Sequence, residues 1–484
     1  MIQKLVQKYK TLNAPVKASF WLLICGFLQK GISMLTTPIF TRVMADVEYG
    51  RFSAYNSWLD IVQIIVSLNL GAEFHTRGLV KNEADQKVFT SSVLGLSSTC
   101  IFVGFLIYAL FHDFFKAIFD LSSPLMIAMF LEIWATAAYR FWANCERVHY
   151  RYRKLVALTL TYVIARPAFG ILMILRVDQN YQTEARVFTA TAVNVILFAA
   201  LYFSMMRQGK KFYDKTYWVY ALKFNLPLVP HYLSQIVLSQ SDRLMIRSFC
   251  GSAATAYYSV AYTLSMGLQI LNSSISATMN PWIYKSLRDG RANIIGKTSY
   301  PILMVIALCN FMVIAVAPEI LTILAPASYQ SALAVIPPVT MSVYFMFLYN
   351  LFATFEYYYE KTKYVMAASI LGAIVNIVLN AIFIPRFGYP AAGYTTLVCY
   401  ILYAGAHYYF MKKVVTVYIQ DEEIYNGRII FGIGILLIGS GAIIMQFYSH
   451  IIIRYSVLVL CALILYFRRK SLQQLFVELK EKRG

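Results

Sequence analysis

Apolar stretches about 20 residues long recur along the whole chain and are separated by short polar segments. A run of this length crosses the hydrocarbon core of a bilayer as one α-helix. Within lipid the backbone groups must bond inside their own segment, and these stretches are too long and too uniformly apolar for barrel strands. The pattern therefore predicts an all-α polytopic membrane protein with about fourteen transmembrane helices, at residues 18–40, 52–73, 88–110, 121–144, 155–175, 184–206, 218–241, 254–278, 299–318, 331–355, 364–384, 390–411, 427–446 and 450–467.

The composition agrees with this pattern. The 484 residues are 59% hydrophobic and only 14% charged, whereas a soluble chain is about 25% charged. No stretch between the predicted helices is long enough for a soluble domain of useful size. The apolar residues that precede and follow the spans at helical spacing predict an interfacial segment at 1–17 and a tail at 468–484.

The formal net charge of +20 raises the question of a nucleic-acid partner. When the loops are assigned alternately to the two sides of the membrane, most of the 43 lysines and arginines fall on the side of the N-terminus. Such a bias is typical of cytoplasmic loops. We therefore expect both termini in the cytoplasm, basic loops that set topology and contact anionic lipids, and no nucleic-acid partner.

Motifs for chemistry are lacking. The seven cysteines are scattered without a C-x-x-C pair, so neither a disulfide framework nor a metal site is indicated. The stretch "GRANIIGKT" (290–298) resembles a phosphate loop but has the wrong glycine spacing and no preceding strand. We expect no catalytic residues, no cofactor and a protein that is not an enzyme. The alternative of a membrane enzyme acting on lipid-linked sugars would call for a larger outer loop than any here.

The chain contains an internal repeat. Shifted by 201 residues, "LQKGISMLTTPIFTRVM" (28–44) aligns with "VPHYLSQIVLSQSDRLM" (229–245), and a shift of 210 aligns 141–157 with 351–367. The repeat predicts an N-terminal lobe at 18–206, a C-terminal lobe at 218–411, and additional helices at 427–467. Because each lobe has six helices, both enter the membrane in the same direction. The pseudo-twofold axis then runs along the membrane normal, with a cleft between the lobes.

Lysine 30 lies in the middle of the first predicted helix, in "FLQKGISMLTTPIFTRVM" (27–44). A lysine at the centre of a transmembrane helix costs about 2.5–3.5 kcal/mol, so it is usually paired, hydrated or functional. The 201-residue shift places Lys30 over His231, near the middle of the first helix of the other lobe. These matching positions predict two walls of one aqueous cavity. Pro227 and Pro230 should break the helix beside His231, either as a hinge or as a static kink.

Further polar residues lie within predicted helices. Arg140 and Arg166 belong to the first lobe, and the residue that corresponds to Arg166 in the second lobe is Asn376. We expect these residues to line the cavity with Lys30 and His231. The acidic residues Asp60 and Glu132 leave two readings open: ion pairs that hold the bundle together, such as Arg166 with Glu132 or Lys30 with Asp60, or a site for a proton or Na⁺.

Two segments carry a family resemblance. "TTPIFTRVMADVEYGRFSAYNSW" (36–58) and "NLPLVPHYLSQIVLSQSDRLMI" (225–246) resemble the polysaccharide-biosynthesis or O-antigen flippases of the multidrug/oligosaccharidyl-lipid/polysaccharide exporter superfamily. The matching features are the arginine that ends helix one, the Tyr-Gly early in helix two and the Asp-Arg that ends helix seven. The helix count and the duplication extend the resemblance over essentially the whole chain.

The resemblance implies a flippase of the bacterial cytoplasmic (inner) membrane, which moves undecaprenyl-pyrophosphate-linked oligosaccharide outward by alternating access for O-antigen or capsule assembly. It implies cationic cavity residues that hold the pyrophosphate or acidic sugars. That role falls on Lys30 and Arg166, with Arg140 and His231 behind them. The implied partners are the lipid-linked oligosaccharide, membrane lipids, a polysaccharide polymerase and chain-length proteins, with H⁺ or Na⁺ coupling in some members. The alternative is an ion-coupled multidrug or cation antiporter of the same fold.

Overall fold

The computed structural model describes residues 14–419 and 424–461 together with 463, 466 and 467, and omits the side chains of residues 14–20, 22, 23 and 30. The expectation for Lys30 therefore concerns a side chain outside the described part, although its backbone is helical. Within that part the regular structure is helical and contains no strand. The α-helices, in chain order, are α1 Ala14–Val43, α2 Asp46–Ser67, α3 Glu73–Lys81, α4 Gln86–Leu110, α5 His112–Phe119, α6 Ser123–Val148, α7 Tyr152–Ile174, α8 Gln182–Gly209, α9 Lys215–Asn225, α10 Val229–Cys250, α11 Ser252–Arg288, α12 Asn293–Ala315, α13 Ala317–Leu324, α14 Ile336–Tyr358, α15 Thr362–Phe387, α16 Pro390–Tyr418, α17 Gly427–Gln446 and α18 Ile451–Cys461.

The all-α prediction is confirmed, and each predicted span overlaps a helix. By length and apolar composition, seven of the described helices could cross a membrane, or eight if the bent pair α5–α6 forms one span. The total of fourteen stays a prediction. Some helices at predicted spans are too polar for this criterion: α10, for example, carries glutamines, serines, an aspartate and two arginines. A helix that faces other protein groups need not be apolar on every side.

Three short amphipathic helices, α3, α5 and α13, lie between the predicted spans and were not predicted. Helix α5 makes an angle of 88° with α6, and helix α3 contributes to the candidate site. Such segments are too short to give the signal of a span, so a search for long apolar runs passes over them.

The chain divides into two compact units, unit 1 at 1–240 and unit 2 at 241–484. The division falls inside α10, whereas the repeat placed the start of the second lobe at residue 218. The proline-rich start of this region is broken as the sequence predicts. Helix α9 ends at Asn225, a 3₁₀ turn covers Leu226–Leu228, and α10 begins at Val229. Because Pro227 and Pro230 lack a backbone N–H, the helical ladder loses donors here.

The segment that follows α8 is fixed to unit 1. The Ser91 hydroxyl on α4 donates to the Lys211 carbonyl over 2.9 Å, and the Trp218 indole donates to the Ser92 carbonyl over 2.9 Å. Asp214 caps α9 by accepting from the backbone amides of Thr216 and Tyr217. The connection after α8 is therefore packed against α4 rather than hanging free as a tether.

We expect Gly95→Ala to destabilise unit 1. A Cβ added to Gly95 on α4 would lie 2.2 Å from the backbone carbonyl of Phe212, so the fixed segment must move, at a cost of about 1–3 kcal/mol. Gly405→Ala on α16 is the matched control because its Cβ would meet nothing within 4 Å and alanine favours a helix interior. Thermal unfolding in detergent measures both, and equal midpoints would contradict the prediction.

Unit 2 is organised around α14, which packs against α11, α12, α16 and α17. Near its C-terminal end, Glu356 bonds to His407 over 2.7 Å, and both side chains are fully buried. Arg454 on α18 donates to both carboxylate oxygens of Glu319 on α13, over 2.7 and 2.8 Å, and to the Ala315 carbonyl. The hydrogen bonds from Arg454 lower the pKa of the Glu319 carboxyl. Together with the bond to Ala315, they hold α18 against α12 and α13.

Candidate functional site

Unit 1 encloses a cavity of about 1160 Å³ between α1, α3, α6, α7 and α8. We call it the cationic cavity, because five basic side chains and one carboxylate line it. Arg140 and Arg166, both expected from the sequence, are among them. The full lining consists of Gln29, Gly71, Ala72, Glu73, Thr76, Arg77, Val80, Lys81, Thr136, Tyr139, Arg140, Ala143, Asn144, Arg147, Tyr162, Arg166, Asn194 and Phe198.

One wall is a stripe along α6. Thr136, Arg140, Ala143 and Arg147 recur at intervals of three and four residues, so they share one face of the helix. Arg140 and Arg147 are two turns apart, about 10 Å along the axis. The cavity therefore extends from the α6–α7 turn into the predicted membrane region, with a basic residue at each level.

Helix α3 forms a second wall, and its orientation is set by its own packing. Phe74, His75 and Leu79 are buried on one face, and burial lowers the pKa of His75 to about 3, so the ring is neutral. Arg77 and Lys81, which are exposed, line the cavity from the same helix. These two basic residues are four apart on a helix whose apolar side chains are buried in unit 1. The packing of the helix therefore fixes their position at the cavity mouth.

The Arg166 guanidinium donates to the Glu132 carboxylate over 2.6 Å. Glu132 is 3% exposed and also accepts from Asn194 and Thr191, over 3.2 and 3.4 Å. The Arg166 side chain is 32% exposed and reaches the cavity. Glu132 therefore forms the ion pair with Arg166 that was one of the two interpretations of the sequence. Arg166 pairs with Glu132 and also lines the cavity.

Arg140 lies between two cavities. It lines the cationic cavity and also a smaller recess of about 280 Å³ that contains Asp60, Gln63 and Asn69. It donates to the Asn69 side-chain oxygen over 3.4 Å, and with the Gln63 amide oxygen turned toward it, both terminal nitrogens donate there over 2.6 and 2.7 Å. Asp60 accepts from Gln240 over 2.9 Å.

Aromatic rings form the inner part of the cationic cavity. Tyr139 stacks on Phe198 at 4.7 Å, and Tyr162 meets both rings edge-on at 5.1 and 5.4 Å. The Gln29 amide donates to the Tyr162 hydroxyl over 2.6 Å. Rigid aromatic faces beside amide and hydroxyl groups can contact sugar rings through both their apolar and their polar sides.

Two expected site residues lie elsewhere. His231 on α10 is half-buried next to Tyr232, its Nδ1 has no hydrogen-bond partner among the described residues, and it lines neither cavity. Asn376 on α15 is fully buried in unit 2. It belongs to a network around Asp242.

Asp242, on α10, is a buried carboxylate that the sequence analysis did not single out as a site residue. It is 1% exposed. One oxygen accepts from the hydroxyls of Tyr258 and Thr396, over 2.6 and 2.7 Å. The other accepts from the amides of Asn376 and Asn380, over 3.1 and 2.6 Å.

All four donors to Asp242 are neutral. A buried carboxylate in such surroundings is costly unless it is protonated or meets a cation, although the hydrogen bonds reduce that cost. The available signals in the sequence were the "SDRLM" motif and two asparagines four residues apart in an otherwise apolar helix. In the described part of the chain no group of three or more His, Cys, Asp or Glu residues could hold a metal ion.

The model of the family described as "Polysaccharide biosynthesis protein" matches residues 16–287. A protein of the Lsg locus of Haemophilus influenzae is 22% identical over 384 residues, which cover 75% of this chain and 89% of that protein.

Solved structures show the same fold. The lipid II flippase MurJ in an inward closed conformation superposes with a TM-score of 0.69 at 14% identity, over 93% of this chain and 99% of that chain. An inward-facing multidrug resistance transporter of the MATE family, in the MOP superfamily, superposes with a TM-score of 0.56 at 10% identity, over 79% and 98% of the respective chains. At these identities the likeness establishes the fold alone.

Proposed function

The chain belongs to the polysaccharide biosynthesis protein family and is a multi-pass membrane protein with a transporter fold, and from this premise we propose that it is a lipid-linked oligosaccharide flippase. It moves the headgroup of an undecaprenyl-pyrophosphate-linked oligosaccharide across the bacterial cytoplasmic membrane by alternating access. Both termini are then cytoplasmic, and the translocated unit supplies O-antigen or capsule assembly. A polysaccharide polymerase and chain-length proteins act after it.

The observation that carries this proposal is the composition of the cationic cavity. It is large, it extends from the predicted cytoplasmic side to the middle of α7, and its lining has five basic side chains against one carboxylate. A polar glycan on a charged diphosphate cannot cross about 30 Å of hydrocarbon unaided. Basic groups, amides and aromatic faces together supply counter-charge, hydrogen bonds and contact area for such a headgroup.

The same lining argues against the antiporter alternative. A site for organic cations should present acidic groups toward its ligand, whereas here Glu132 is paired with Arg166 and Glu73 stands among basic residues. The likeness to multidrug transporters concerns the fold. An antiporter would show efflux of cationic dyes driven by an ion gradient.

Coupling to H⁺ or Na⁺ forms part of the proposal, and we assign it to Asp242 rather than to Asp60 or Glu132. Glu132 already has an arginine partner, and Asp60 shares its recess with Arg140. Asp242 is buried, and the donors recorded to it are all neutral. The surrounding side chains donate hydrogen bonds to the Asp242 carboxylate but do not neutralise its charge. A small cation or a proton bound there would do so.

The direct test is translocation in proteoliposomes. The full chain is reconstituted with undecaprenyl diphosphate that carries a fluorescent neutral disaccharide, and a membrane-impermeant quencher reports the fraction on the outer face. We expect fast exchange between leaflets with the protein and none without it. Dye transport together with no movement of the lipid-linked sugar would overturn the proposal in favour of the antiporter.

Arg140→Gln should slow this translocation by at least roughly tenfold, because a charge-assisted hydrogen bond is worth about 1.5–3 kcal/mol. Arg176→Gln is the matched control, since Arg176 follows α7 in a turn and does not line the cavity. The initial rate of exchange measures both variants. Equal exchange rates for the two variants would show that Arg140 does not contact the headgroup.

A further inference from the structure

We propose that the cationic cavity is divided along its length: Arg77, Lys81 and Arg147 at its mouth bind the diphosphate, and the inner part takes an uncharged glycan. This inference rests on the proposed function and narrows its substrate class to neutral oligosaccharides linked through a diphosphate. It differs from the expectation drawn from the sequence, in which Lys30 and Arg166 hold the pyrophosphate.

Three basic side chains in the cavity lining are without a carboxylate partner in the described part of the chain. No ion pair with a carboxylate is recorded for Arg77, Lys81 or Arg147 among the described residues. Arg77 lies over the Phe224 ring at 5.4 Å, Lys81 over the Tyr220 ring at 4.9 Å, and Arg147 donates to the Asn144 side-chain oxygen over 3.2 Å. We call these three basic residues the mouth triad.

The balance of positive and negative charge differs between the mouth and the inner part of the cavity. At the mouth, the triad outweighs the carboxylate of Glu73, which leaves about two positive charges. Deeper, Glu132 neutralises Arg166, and Asp60 lies in the same recess as Arg140. A diphosphate esterified at both ends carries about two negative charges. Within the described lining, the excess positive charge is therefore at the mouth, where it matches that group.

The basic residues of the cavity lie at different depths along α6 and α7. Arg166 is the fifteenth residue of α7, about 21 Å from the start of the helix, whereas Arg147 is one residue from the end of α6. The prenyl tail stays in lipid, so its diphosphate is tethered near the membrane surface. By the predicted spans, which end at residues 73 and 144 on this side, the mouth triad lies at that level. At the initial binding step, before translocation, a diphosphate at the level of Arg166 would already have left the interface for the middle of the bilayer.

The inner part of the cavity is aromatic and polar. Its rings Tyr139, Tyr162 and Phe198 and its amides Gln29 and Asn194 offer stacking surface and hydrogen bonds without net charge. Such groups suit the hydroxyls and apolar faces of neutral sugars. An acidic sugar there would meet a guanidinium already occupied by Glu132.

Binding experiments separate the subsites. The full chain in nanodiscs of phosphatidylcholine is titrated with sugar-free undecaprenyl diphosphate, with the same lipid carrying a neutral disaccharide, and with one carrying a uronic acid. In the variant Arg77→Gln/Lys81→Gln/Arg147→Gln, we expect all three affinities to fall on the order of 100-fold, with a weaker salt dependence. Wild type should bind the neutral glycan more tightly than the acidic one.

The control is Lys87→Gln/Lys210→Gln, which removes two exposed basic residues on the same predicted side but away from the cavity. Its affinities should equal those of wild type. Because all substituted side chains are exposed, the variants should stay folded, which size-exclusion profiles check. Wild-type affinity of the mouth variant for sugar-free undecaprenyl diphosphate, or a preference for the acidic glycan, would overturn the division while translocation by wild type still supports the flippase. Absence of both binding and translocation in wild type would instead overturn the flippase itself.

Discussion

Replacing Asp242 with asparagine should remove the ion dependence of transport while the protein stays folded. The substitution keeps the size of the side chain but removes its charge. The hydroxyls of Tyr258 and Thr396 can turn to accept from the new amide, so the buried network keeps most of its bonds. A gradient of H⁺ or Na⁺ then has no charged group on which to act. We expect loss of an acceleration on the order of 10- to 100-fold, the usual range for coupling between two sites.

The measurement is the translocation rate in proteoliposomes with and without an imposed Na⁺ or pH gradient. Asp113→Asn is the control, since Asp113 on α5 is fully exposed and its loss should change neither the rate nor the ion dependence. A gradient that still accelerates the Asp242→Asn variant as strongly as wild type would place coupling elsewhere, with Asp60 as the next group to test.

Asp242→Ala provides a contrasting variant. It removes the shared acceptor of four buried donors, of which Asn380 keeps another bond, to Asn376 over 3.3 Å. Each buried group left unsatisfied costs about 1–3 kcal/mol. We therefore expect this variant to be poorly folded, unlike Asp242→Asn. The comparison separates the charge of Asp242 from its place as the common acceptor for α11, α15 and α16.

Most of the long helices could be predicted because a long apolar segment carries its own signal. An apolar run long enough to cross the membrane predicts a helix whatever the rest of the chain contains. The break before α10 was also local, since Pro227 and Pro230 remove donors wherever they stand. Helix α3 had no such signal. This helix of nine residues forms a wall of the cationic cavity only because Phe74 and Leu79 are buried in unit 1.

The site was predictable in part, for a related reason. Arg140 and Arg166 drew attention because a charge inside an apolar run is costly, and both line one cavity. Arg77, Lys81 and Arg147 did not, because basic residues between spans have a sufficient explanation as topology signals. Only the packing of α3 and the stripe on α6 distinguish them from other loop cations. Asp242 was missed because its partners come from three other helices.

The Arg166–Glu132 pair offers the sharpest test of what the inner cavity does. Removing Arg166 strands a carboxylate that is 3% exposed, whereas removing Glu132 leaves a guanidinium that is one-third exposed and can be hydrated in the cavity. Arg166→Gln should therefore cost about 3–5 kcal/mol of stability, and Glu132→Gln clearly less. The double variant Arg166→Gln/Glu132→Gln should recover most of that loss, as measured by thermal unfolding in detergent.

Translocation by the same double variant distinguishes the two roles of Arg166. Suppose that Arg166 only neutralises Glu132 beside an uncharged glycan. The double variant should then regain most of the transport lost in Arg166→Gln, because replacing both residues leaves the net charge of the inner cavity unchanged. If Arg166 binds the pyrophosphate, stability should return without transport, and raising the substrate concentration should reduce the deficit to the extent that binding rather than translocation has failed. Recovery of stability without transport would therefore return the diphosphate to the level of Arg166.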